Sequence, residues 1–196
     1  MSFRALIRDR NGAGAAEFAL VLPLMLMLLF GIIDVGRYMW TINQAEKAAQ
    51  MGVRMAVVTD YVASTIGADY LGECSTPLTQ GDPIPADCFS TVTCQKASTA
   101  ATCDAGTADT DAFLRVANQM RLFAPTVADS NVEIIYSPSG LGYAGDPNGP
   151  DLAPLVTVRL SGMTIRLIAT LGILSVPLPE VRSSLTFEDG AGTVSN

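Results

Sequence analysis

The 196-residue chain contains no histidine. That absence removes Ser-His-Asp and Cys-His catalytic arrangements, and it removes one of the two usual protein ligands of zinc. Basic residues are scarce as well, with 12 Lys and Arg against 19 Asp and Glu, for a net charge of −7. A surface this acidic does not suit a phosphate backbone, so no nucleic-acid partner is expected. There are only four cysteines and no Cys-x-x-Cys pair of finger-like spacing. Neither a Gly-x-Ser-x-Gly elbow nor a phosphate-cradling Gly-Lys-Ser/Thr loop is present, and no internal repeat is visible. The inventory argues against an enzyme and implies no cofactor. In Asp146-Pro-Asn-Gly-Pro-Asp151, the side chains of Asp146, Asn148 and Asp151 have the oxygen chemistry of a calcium loop. Asp-Pro and Asn-Gly are turn-forming pairs in their own right, so a plain turn is the preferred reading and no metal site is expected.

What the chain does have is one long apolar run near its start. The 21 residues from Ala13 to Ile33 carry a single charge, Glu17. A helix needs about 20 mostly apolar residues to cross a hydrocarbon core of about 30 Å, so residues 13–36 read as a transmembrane segment. The run starts close to Met1 and has no small-residue cleavage site behind it, so it reads as retained rather than as an ordinary signal peptide. Arg4, Arg8 and Arg10 precede it, and basic residues flanking a span stay cytoplasmic, which sends the carboxy-terminal portion to the other side. At the far end Asp34 can sit at the membrane interface and pair with Arg37, three residues on. Pro23 removes one backbone hydrogen bond and should bend or locally open the helix. The small residues Gly12, Ala13, Gly14, Ala15, Ala16 and Ala19 would let another helix approach closely, or merely fit a protease.

A short basic leader, then Gly12, then a glutamate at the fifth following position, Glu17, with Phe18 beside it, is the pattern cut by prepilin peptidases. The stretch Glu17-Phe-Ala-Leu-Val-Leu-Pro23, the leucine-rich run, and Phe30-Gly-Ile-Ile-Asp-Val-Gly-Arg37 resemble the TadE-like proteins of tight-adherence (Flp-type) pilus systems. Asp34 and Val35 stand where that family more often has Glu and Phe. The resemblance covers about the first 50 residues. It implies a pilin-like structural subunit, a minor pilin or pseudopilin, working with the inner membrane, a prepilin peptidase, other pilin subunits and the pilus assembly machinery. On that reading residues 1–12 are a leader cut between Gly12 and Ala13, and Glu17, Phe18 and Pro23 serve assembly. The leader carries a surplus of two positive charges, so its loss would take the net charge from −7 to −9. The alternative is an uncleaved, membrane-anchored periplasmic binding or scaffold protein.

Beyond the span, Tyr38, Met39, Ile42, Ala45, Ala49, Gly52, Val53 and Ala56 recur at three- and four-residue spacing. Residues 37–60 therefore continue the helix outside the membrane, with an apolar stripe that needs a surface to lie on. Residues 61–110 turn rich in Gly, Ser, Thr, Pro and Asp and hold Cys74, Cys88, Cys94 and Cys103, which reads as a loop region. An even number of cysteines in an oxidising compartment predicts two disulfides, with three pairings open. Within 111–196, Asp111 to Phe123 has helical periodicity. The stretches 131–136, 155–160 and 182–187 have strand composition. Met163 to Leu178 is apolar, but Arg166 and Pro177 leave too few uninterrupted residues to cross a bilayer. It is expected to be a strand followed by a loop or short helix, covering part of the sheet or offered to a partner. The expected fold is α+β and pilin-like, a long N-terminal helix packed on a small antiparallel sheet with a disulfide-stapled loop region.

Overall fold

The computed structural model describes residues 13–67, 74, 77–145 and 151–187. Within them the fold is α+β, with a long apolar N-terminal helix, an antiparallel sheet and two disulfides. Helix α1, Ala13–Val58, is one continuous element of 46 residues that includes Pro23. The chain forms two compact units, one of Met1–Trp40 with Thr164–Val176, the other of Thr41–Met163 with Pro177–Asn196.

In the larger unit the outer part of α1 buries Ala45, Ala48, Ala49, Gly52, Val53, Ala56 and Val57. These side chains are small and recur every three or four residues, so they form a narrow stripe that another helix can approach closely. At Gly52 the approach is close, because a Cβ there would lie 2.6 Å from Met120 Cγ. The helix ends where the Thr59 hydroxyl donates to the Met55 carbonyl at 2.8 Å, satisfying one of the acceptors left over in its last turn.

The partner of that stripe is α2, Thr110–Arg121. Asp109 caps it by accepting from the amides of Asp111 and Ala112, and Asp111 and Arg121 complement the helix dipole at the two ends. Its buried residues, Ala112, Phe113, Val116, Ala117 and Met120, lie along one side.

The sheet has the strand order β2-β1-β3-β4-β7, all antiparallel: β1 is Val92–Gln95, β2 Thr102–Cys103, β3 Val132–Ser137, β4 Leu155–Leu160 and β7 Val181–Thr186. Alternation sends Val132, Ile134 and Tyr136 of β3 and Val156, Val158 and Leu160 of β4 into the core. Each such side chain contributes about 1.5–3 kcal/mol by leaving water. On the other face Glu133 lies opposite Arg159 and bonds it, and the Thr157 and Ser184 hydroxyls pair at 2.7 Å. The Tyr136 hydroxyl accepts from the Val62 amide at 3.0 Å, which ties the segment just after α1 to the middle of the sheet.

One expectation is corrected and another is refined. The segment 61–110 is not a loop region throughout, because β1 lies inside the sheet between β2 and β3. A four-residue strand among Ser, Thr and Cys has too short an alternation to be read from sequence, and it forms because β3 offers it an edge. Met163 to Leu178 begins as a strand followed by a loop, as expected, but it returns in a second strand and not in a short helix. It holds a hairpin of β5, Thr164–Arg166, and β6, Ser175–Pro177, which pair with each other as a two-stranded sheet.

Burial pushes the Tyr136 phenol up to about 12. An unfolded tyrosine ionises near pH 10, so the stabilisation from the neutral phenol is complete below about pH 10 and is lost as the pH rises to about 12. Denaturant titrations through this window should show stability falling with pH. The variant Tyr136→Phe should lose that alkaline slope while costing roughly 1–3 kcal/mol at neutral pH, since the Val62 amide is left without its acceptor. At the acid end, hydrogen bonds from Lys96 and then Arg121 hold the Asp129 carboxyl below its usual range, against the opposing effect of burial. Its contribution is present above about pH 4 and lost as the pH falls further, which the same titration carried into acid should reveal and Lys96→Met should blunt.

Candidate functional site

The inner part of α1 differs from the outer part in what covers it. From Gly14 to Phe30 every residue is exposed, including Phe18, Pro23 and the whole leucine and methionine run. A solvated apolar surface of this extent marks an interaction face. Ala13 is the first described residue and is already helical, whereas Gly12 and the leader lie outside the described residues. Pro23 sits in an unbroken helix and leaves the Ala19 carbonyl without its i+4 donor. Glu17 is exposed and makes no ion pair among the described residues.

At the other end of the apolar run the structure builds a small polar site. Asp34 is only 5% exposed although its sequence neighbours Ile33 and Val35 are open. Its Oδ1 accepts from the Ile168 amide at 2.9 Å and from Arg37 Nη1 at 3.1 Å, and its Oδ2 accepts from the Ala169 amide at 2.8 Å. The Arg37 guanidinium also donates to the Arg166 carbonyl at 3.3 Å. A carboxylate that accepts two backbone amides and a guanidinium is held by charge-assisted bonds, the stronger kind.

The hairpin is shaped to present those amides. Thr170 Oγ1 donates to the Leu167 carbonyl and accepts from the Leu174 amide, while the Gly172 amide closes the turn on the Leu167 carbonyl at 2.9 Å. Leu171 and Gly172 both adopt left-handed backbone, with φ of 55° and 77°. Glycine takes that conformation without cost, but for a leucine it is unfavourable by about 1–2 kcal/mol. The sequence suggested only the Asp34–Arg37 pairing, three residues apart. The missed signal is that an acid closing an apolar run needs more partners than one half-exposed arginine supplies. Trp40, 67% exposed and six residues past Asp34, was also passed over, although tryptophan is enriched where a span leaves the membrane.

Glu17, Phe18, Pro23, Asp34 and Arg37 all lie on α1, and the four cysteines lie outside it. Residues 12–54 match the family of TadE-like proteins. This family is pilus-associated and structural, and the TadE-like segment coincides with the exposed apolar face, the Asp34 site and most of the small-residue stripe. The match ends before the cysteines and the sheet. The chain matches no curated protein and no solved structure.

The disulfides are Cys74–Cys88 and Cys94–Cys103. Cys94 and Cys103 face each other in the β1–β2 pair with Cα atoms 4.1 Å apart, so strand register selects that bond. Of the calcium candidate, Asp146 and Asn148 lie outside the described residues, whereas Asp151 is buried and its carbonyl accepts from the Tyr143 amide.

Two outcomes follow. Peptide mapping without reduction should recover exactly two cross-links, 74–88 and 94–103, and replacing both Cys94 and Cys103 with Ser should cost about 2–3 kcal/mol, read by denaturant unfolding. Replacing Asp34 with Ala should raise hydrogen exchange at the Ile168 and Ala169 amides by roughly tenfold or more, because both lose a charged acceptor.

Proposed function

We propose that this protein is a pilin-like structural subunit, a minor pilin or pseudopilin, that takes part in assembling a tight-adherence type IV pilus. The observation that carries the reading is the helix face from Gly14 to Phe30, apolar and uncovered, within a segment that matches TadE-like proteins. In the membrane that face meets lipid, and in a fibre or assembly complex it meets other helices of the same kind. Its orientation follows the arginines of the leader, with the amino terminus cytoplasmic and the carboxy-terminal domain periplasmic, where disulfides persist.

A prepilin peptidase cutting between Gly12 and Ala13 would create a positively charged amine at the head of α1. Glu17 lies one helical turn further on, about 6 Å along the axis. A carboxylate inside the edge of a membrane costs a few kcal/mol on insertion scales, so it calls for a cationic partner, and the amine of a neighbouring subunit fits that role. Such a pair neutralises charge and fixes the axial register between subunits.

Amino-terminal sequencing of protein from cells with active peptidase should find Ala13 first, and Gly12→Leu should leave Met1 in place. Met1 retained on the unaltered protein would mean an uncleaved membrane anchor instead. Glu17→Ala should leave membrane abundance and both disulfides unchanged while recovery with pilus partners drops about tenfold, the factor expected from losing roughly 1.4 kcal/mol of pairing. Normal pili assembled with a stable Glu17→Ala subunit would refute the register argument.

A further inference from the structure

Resting on the reading that α1 anchors the protein in a membrane, we propose that the turn from Ile168 to Leu174 is a second membrane contact. It dips into the leaflet nearest the carboxy-terminal domain, alongside the helix, and its partner is the boundary between lipid headgroups and acyl chains. Three observations in the same compact unit carry this. The turn is apolar and open, with Leu171 89% and Ile173 86% exposed, and Ile168 and Leu174 partly so. Its tip keeps a leucine in left-handed backbone, where a turn in water would favour Gly, Asn or Asp.

The third observation is direction. Along the hairpin the contacts with α1 run from Arg166 against Arg37 to Ile168 and Ala169 against Asp34. On this first arm hairpin numbers rise as helix numbers fall, so the tip at Thr170 and Leu171 lies on the apolar-run side of Asp34, while Ile173 belongs to the returning arm, where the Leu167 amide donates to the Leu174 carbonyl. Asp34 is 21 positions from Ala13, about 31 Å along the axis, which is the thickness of a hydrocarbon core. The two residues past Ala169 lie in a turn closed by the Gly172 amide on the Leu167 carbonyl, so Leu171 reaches less than the roughly 7 Å of two extended residues, a depth that enters the leaflet without crossing it. Arg37 and Arg166 then stand at the level of the phosphates, with Trp40 further out. Polar groups outside and apolar groups inside is the order of an interfacial membrane segment. The Asp34 carboxylate acts as the clamp that holds the turn at this depth.

The test uses the full chain in phosphatidylcholine–phosphatidylglycerol vesicles, with Trp40→Phe removing the native tryptophan. A tryptophan placed by Leu171→Trp should emit to the blue and be quenched strongly by lipids brominated near the carbonyl end of the acyl chain, and weakly by aqueous iodide. A parallel variant, Met27→Trp, reports on the span and should be quenched best by lipids brominated near the chain terminus. Adding Asp34→Ala should abolish lipid quenching at position 171 and spare it at position 27. If position 27 is quenched by lipid and position 171 only by iodide, the second contact is overturned and the anchor stands. Loss of lipid quenching at both positions overturns the anchor and the contact together. Blue emission at position 171 without lipid quenching means that protein, such as a second copy, covers the turn, and it overturns the lipid assignment. Unchanged lipid quenching at position 171 in the Asp34→Ala background overturns the clamp.

Discussion

A carboxylate that closes the long apolar run of a helix has to be fully hydrogen-bonded, and the way Asp34 meets that demand organises the smaller unit of this protein. One guanidinium three residues away satisfies part of it. The rest comes from two consecutive backbone amides more than a hundred residues further along the chain. The hairpin carrying them has no place in the main sheet, and its tip is shaped so that both amides converge on the carboxylate. Breaking such a site leaves two amides and a charge to be solvated afresh, so the helix and the hairpin depend on each other.

Helix α1 is one element made of two kinds of surface. Its first half exposes large flexible side chains, Leu, Met and Phe, which suit lipid or the helices of neighbouring subunits. Its second half buries Ala and Gly, which let α2 come so near that Gly52 has no room for a side chain beside Met120. The large residues provide area for association, and the small ones provide close packing within the domain.

In the larger unit the buried Tyr136 hydroxyl holds Val62, and the partly buried Lys96–Asp129–Arg121 cluster holds the turn before β3. The segment matched to TadE-like proteins lies on α1, whereas the sheet and the disulfides lie outside the match.

The long helix, the stripe from Ala45 to Ala56, α2 and strands β3, β4 and β7 were legible in the sequence, because each rests on a periodicity long enough to stand above local composition. The resemblance of residues 12–54 was legible for the same reason, as a contiguous pattern. The tertiary structure alone decided the rest. Strand β1 exists because β3 presents an unpaired edge, and the pairing of Cys94 with Cys103 follows from the register of β1 with β2. The partners of Asp34 are backbone amides, which every residue carries, so no residue type in the sequence could mark Ile168 and Ala169 as its ligands. Local pattern is written in side chains, whereas long-range pairing between backbone groups appears only once the chain has folded back on itself.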